Sequence, residues 1–198
     1  PYFQPDPAYH LGGIRHSLQI AAAHLPRVDA IGGSAAGVYI NNKVRVASLF
    51  RGVTDPALFA AKVEGMFLDL AKEWKVPFEV LNDGDVTALA ASMSLNRNAV
   101  LGIAMGTSVA AGFVDPKGNL TNWLSELAFV PVDYRVQGPA DEWSGDLGCG
   151  VQYFSQQGVG RLLPLAGIHL PGAMRLPEQL EELQKLMLGG DARALKVY

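Results

Sequence analysis

Cysteine is almost absent: Cys149 stands alone in 198 residues, so no internal disulfide framework can form. Charge is sparse too. Charged residues make up 18% of the chain and the formal net charge is −3, which leaves no basic footprint, so no nucleic-acid partner is expected for this segment. No apolar run approaches the length that spans a bilayer and no secretory signal opens the chain, so no membrane partner is expected and a cytoplasmic location is the default. An initiating methionine is also lacking. Pro1 opens what reads as mid-sequence, and the chain reads as a piece of a longer protein. What is present is apolar. Hydrophobic residues are 49%, enough for a sizeable core in one or two small α/β domains.

Residues 80–114 organise the chain. Val80 and Leu81 end a buried run, and Asn82, Asp83, Gly84 and Asp85 break it. Asp85 is placed to cap a helix beginning at Val86, because its carboxylate can accept orphan backbone N–H groups. After the helix, residues 99–105 are continuously apolar, as in a strand covered on both faces. Gly106, Thr107 and Ser108 then turn the chain into a second strand over 109–114. In open α/β sheets, ligands sit outside the carboxyl ends of strands. Asp83 would stand there as a carboxylate able to take a proton from a hydroxyl. Gly106 and Thr107 offer backbone N–H groups, plus a hydroxyl, to a phosphate. Both stretches also read as ordinary turns, since Asn, Asp, Gly, Thr and Ser are common turn residues.

Elsewhere the pattern is that of a packed α/β protein. Residues 1–7 read as a proline-rich tail or linker. Residues 9–25 carry Leu11, Ile14, Leu18, Ala21, Ala22 and Leu25 at helical spacing, ended by Pro26. His10, His16 and His24 lack the i, i+4 spacing of a metal pair and read as exposed. A short strand over 28–33 enters a small-residue corner ending at Gly37, and 38–48 reads as a hairpin turning at Asn41 and Asn42. One long helix is expected from Thr54 to about Lys75, with Pro56 in its first turn. A strand over 77–81 then delivers Asn82 and Asp83. Residues 115–119 read as a hairpin turn, 138–150 as a loop, 151–163 as a helix, 164–172 as a loop and 176–188 as an amphipathic helix stopped by Gly189 and Gly190. Asp191 is expected to cap a last helix running to Tyr198. A boundary near residue 97 divides the chain into 1–97 and 98–198.

Three segments, in order, resemble motifs of ROK-family sugar kinases. NDGDVTALA (82–90) resembles their NDANAAALAE-type stretch, GIAMGTSVAAG (102–112) their second phosphate motif LGTGVGGG, and SELAFVPVD (125–133) their GELGHIPVD segment. The corner at Gly37 is similar to their IG(I/V)PGPVD segment, which lies by the sugar. The resemblance is strongest over about residues 29–155. It implies a two-lobe actin-like ATPase fold of the ribonuclease H-like kind, incomplete at both ends: 1–97 would be part of the smaller lobe and 98–198 part of the larger. It further implies phosphoryl transfer from ATP, with Mg²⁺, to a sugar hydroxyl. Asp83 would be the catalytic base, Asn82, Glu126 and Gly37 would contact the sugar, and Gly106, Thr107 and Ser108 would hold the nucleotide phosphates.

The resemblance fails in places. The family's zinc loop, C-x-C-G-x-x-G-C-x-E, corresponds to residues 142–151, where Gly145, Gly148 and Cys149 match but Glu142 and Ser144 replace two cysteines. Phe129 replaces the family's histidine. One soft ligand is too few for tetrahedral zinc, so no structural zinc is expected and no metal-ligating residue is assigned. Val151 stands where the family has a sugar-contacting glutamate, so fewer hydroxyl-binding groups remain. The family's DxGGT and LGGG motifs fall outside the chain. Two rival readings follow: a sugar-binding ROK-type transcriptional regulator, and a catalytically degenerate relative. Tyr153, Phe154 and the last helices offer a surface for a homodimer.

Overall fold

A computed structural model describes residues 3–121, 123 and 126–197. Pro1, Ser125 and Tyr198, all named above, lie outside the described residues. The chain is an α/β protein built from short sheets and the helices that cover them.

Helix α1 (Pro7–Ala22) starts where the Asp6 carboxylate accepts the Ala8 N–H, with Pro7 in the first turn. It therefore begins and ends earlier than its apolar spacing suggested. Residues 3 and 4 are not a free tail: the Gln4 carbonyl bonds the His10 ring, and the Arg51 guanidinium lies over the Phe3 ring. His10 is buried edge-on against Phe50, so only His16 and His24 of the three histidines are exposed.

Strand β1 (Ile31–Ser34) pairs in parallel with β4 (Phe78–Leu81), from Ile31 opposite Phe78 to Ser34 opposite Leu81. Between them, β2 (Val38–Ile40) and β3 (Lys43–Val46) form the expected hairpin. Asn41 and Asn42 both have positive φ, as a two-residue turn matched to strand twist requires. Asn42 also ties the hairpin to β4, donating to the Phe78 carbonyl and accepting the Val80 N–H.

The long helix expected over 54–75 is two helices, α2 (Pro56–Lys62) and α3 (Met66–Trp74). The break buries Val63 completely and frees the Glu64 carbonyl to accept the Val44 N–H. Leu58 on α2 is exposed. Phe50, Val63, Phe67, Leu70, Phe78 and Val80 make the first core, with Leu11, Ile14 and Leu18 of α1 packed on it.

Helix α4 (Asp83–Leu95) begins three residues before the expected Val86, and its cap is Asn82 rather than Asp85. The Asn82 side-chain oxygen accepts the Gly84 N–H at 2.8 Å. Its buried face is small, Gly84, Ala88 and Ser92 at four-residue spacing. That face lies on the hairpin of β5 (Val100–Met105) and β6 (Val109–Val114), paired from Val100 opposite Val114 to Met105 opposite Val109. The approach is backbone to backbone. A Cβ on Gly84 would stand 2.3 Å from the Ala111 carbonyl oxygen, and one on Gly112 would stand 2.4 Å from the Asp85 Cα. Strand β5 is not covered on both faces as its apolar run suggested: Leu101, Ile103 and Met105 are exposed.

Beyond β6 the chain turns at Asp115, whose carboxylate accepts the Lys117 and Asn119 N–H groups. A looped region over 126–152 holds a small core of Val109, Ala128, Cys149 and Val151. Helix α5 (Gln156–Leu165) starts later than residue 151 because Ser155 caps it, accepting the Gly158 N–H. It packs with α6 (Leu176–Leu188), whose bounds match expectation, and α7 (Ala194–Val197) around Leu163, Ile168 and Leu183. We keep the division at residue 97 as a proposal; α4 lies before it and packs on the hairpin after it. Among the described residues, no helix is long and apolar enough to cross a membrane.

Candidate functional site

The end of β4 and the start of α4 place Asn82 and Asp83 on one side of a crevice. Asn82 does two jobs at once. Its side-chain oxygen caps α4, and its amide nitrogen donates to the Gly37 carbonyl at 2.8 Å and approaches Glu126 Oε2 at 3.5 Å. Gly37 can meet it because its φ is +143°, and a Cβ there would stand 2.4 Å from the Val46 carbonyl oxygen. The structure thus brings Gly37, Asn82 and Glu126 together.

Asp83 looks into a different part of the crevice. It lines a cavity of about 240 Å³ with Gly106, Thr107, Ser108 and Glu126. The turn over 106–108 closes the β5–β6 hairpin, and Thr107 and Ser108 are exposed. The Gly106 N–H donates to the Ser108 carbonyl at 2.8 Å, within the hairpin. The turn is held from behind by α5: the Gln156 N–H donates to the Gly106 carbonyl, and the Gln157 side chain donates to the Thr107 carbonyl at 3.1 Å.

Glu126 lines three cavities. Besides the one facing Asp83, there is one of about 470 Å³ walled by Gly37, Phe129, Trp143 and Val151, with Arg51 at its edge. Phe129 and Trp143 meet edge to face there, centroids 5.7 Å apart. The third, of about 900 Å³, lies between the β2–β3 hairpin and Trp123, with Asn82 and Asp85 on its wall.

Negative charge is concentrated around Asn82. Burial pushes the Glu126 carboxyl up, and the charge of Asp83 pushes it further, against bonds from Asn82 and the Ala128 N–H. The same two causes, in the same order, raise the Asp85 carboxyl. They also push the Tyr39 phenol up to about 12, so it stays a donor. Asp85 and Tyr39 were missed as site residues. The signal for Asp85 was its place two residues after Asp83 in one acidic helix turn; nothing near Tyr39 marked it. Among the described residues, no three His, Cys, Asp or Glu side chains gather as a metal site. Cys149 is buried, its sulfur 4.0 Å from the Asp146 carbonyl.

The fold is shared with solved structures of ROK-family proteins. Among solved structures, a ROK hexokinase from Thermus thermophilus matches with a TM-score of 0.65 at 19% identity, over 94% of this chain and 60% of that one. A ROK family glucokinase from Streptomyces griseus, in complex with glucose and AMPPNP, matches at 0.65 and 19% identity, over 98% and 64%. A ROK family transcriptional regulator, a homolog of the E. coli Mlc protein, matches at 0.63 and 20% identity, over 96% and 48%. The chain spans about half to two thirds of the length of these structures. No protein-family model matches the chain, and no curated protein sequence does. The neighbours thus include both kinases and a regulator.

Proposed function

We propose that the protein to which this chain belongs transfers a phosphoryl group from ATP to a hydroxyl of a sugar. The observation that carries this reading is the shared cavity of Asp83, Glu126 and the 106–108 turn. It sets a carboxylate across from exposed hydroxyls on a tight hairpin end. Phosphoryl transfer asks for positioning and charge neutralisation more than covalent chemistry. Asp83 would accept the proton of the attacking hydroxyl as that oxygen bonds to phosphorus. Asn82, fixed by its own cap and by Gly37, would orient the sugar together with Glu126. Thr107 and Ser108 would hold the nucleotide's terminal phosphates, with the turn braced by Gln156 and Gln157. ATP would supply the phosphoryl group, and Mg²⁺ would travel with it, taking most of its oxygens from phosphate and water.

Asp83→Asn tests this. Turnover of ATP with a responsive hexose should fall about 10²–10⁴ fold, the usual size of a general-base contribution, with sugar affinity little changed. A variant as fast as the parent protein would remove Asp83 from the reaction.

A second reading is a sugar-binding regulator without transfer. It draws on the committed Gly106 N–H, which thins the phosphate cradle, and on the regulator among the structural neighbours. Calorimetry that finds sugar binding, alongside an assay that finds no ATP turnover, would favour it.

A further inference from the structure

We propose that the 900 Å³ cavity beside Asn82 is a second carbohydrate subsite, so that the sugar bound here is a neutral glycoside of at least two rings. The inference rests on the sugar-binding part of the reading above and extends it. Ligand cavities run to roughly 300–1,000 Å³, and this one lies near the top of that range. It is continuous with the candidate acceptor residues, because Asn82 and Glu126 form part of its wall.

Two features give it a chemical character. The first is Trp123, 69% exposed on the cavity's rim. Its ring lies parallel to Phe113, within 5° and 6.1 Å between centroids. That contact holds the indole on one side, and the residue is largely exposed. A flat aromatic face of this kind suits the apolar C–H face of a sugar ring. The second is its acidic wall: Glu79, Asp85 and Glu126 all line this cavity. A phosphorylated or acidic sugar would be repelled, which is why the ligand is neutral.

Titration calorimetry with glucose, maltose and cellobiose tests the subsite on the parent protein and on Trp123→Ala and Trp123→Phe. At least one disaccharide should bind about tenfold more tightly than glucose, a difference of about 1.4 kcal/mol. Trp123→Ala should erase that advantage and leave glucose affinity unchanged, while Trp123→Phe, which keeps a ring face, should retain most of it. Equal affinity for glucose and both disaccharides overturns the subsite. So does a Trp123→Ala variant that keeps the preference, or one that weakens all three sugars alike. Phosphoryl transfer to glucose without a disaccharide preference would sink this inference and spare the reading of function. Disaccharide binding without transfer would do the reverse, and a protein that binds none of the three overturns both.

Discussion

The two walls of the crevice are built differently. On one side, the start of α4 is locked: Asn82 bonds in two directions, Gly84 lies backbone to backbone on Ala111, and Gly112 meets Asp85 from below. On the other, the 106–108 turn is a hairpin end with Thr107 and Ser108 exposed, braced by two glutamines of α5. The locked wall can hold acidic groups close together because its backbone cannot relax away. The open wall carries two exposed hydroxyl residues, and its Gly106 amide is bonded within the hairpin. The contrast teaches that the wall bearing Asn82 and Asp83 is preorganised by backbone packing, while the facing turn is shaped mainly by its own hairpin.

The comparison can be broken most forcefully at the glycine contact. Gly112→Ala should unfold or loosen the locked wall, since even one methyl would meet backbone rather than a movable side chain. We expect a loss of about 3 kcal/mol, at the upper end of overpacking costs, read as a lower urea midpoint. A variant with an unchanged midpoint would mean the helix and hairpin are not in close contact.

A smaller effect is expected at the cap. Asn82→Ala removes the acceptor for the Gly84 N–H and the donor to the Gly37 carbonyl. It should cost about 1 kcal/mol of stability, the usual size of a lost N-cap, and weaken sugar binding as well. If stability alone falls, Asn82 is a cap and nothing more.

The smallest effect is electrostatic. Asp85 and Glu126 both titrate above their ordinary values in the folded chain. Carboxyls raised in this way bind protons more readily folded than unfolded. Their contribution to stability is full below the ordinary carboxylate range and is lost as pH rises through the raised values. Asp85→Asn should therefore raise the melting temperature near neutral pH, and the gain should shrink as pH falls toward the usual aspartate range. A gain that grows in acid would contradict the assigned direction. The same substitution at exposed Asp29 should change little.

Much of this was legible from residue order. The Asn41, Asn42 hairpin, the helix over 176–188 and the nearness of Asp83 to the 106–108 turn all follow from local chemistry and motif spacing. The start of α4 was harder to read. Its buried face is made of Gly84, Ala88 and Ser92, which carry almost no hydrophobic signal, so the acidic residue nearest the apolar stretch looked like the cap. The division of residues 54–75 into two helices was hidden because Val63 continues an apolar stripe through the break. Asp85 and Trp123 acquire meaning only from what faces them across the crevice.

By itself the sequence determined the α/β class, the order of the motifs and which side chains could do chemistry, because these depend on neighbours a few positions apart. Only the tertiary structure decided which wall is rigid, which amide is already bonded and which carboxyl oxygen has no donor among the described residues. Those properties arise between segments distant along the chain, where burial and backbone contact set the strength of every charge and hydrogen bond.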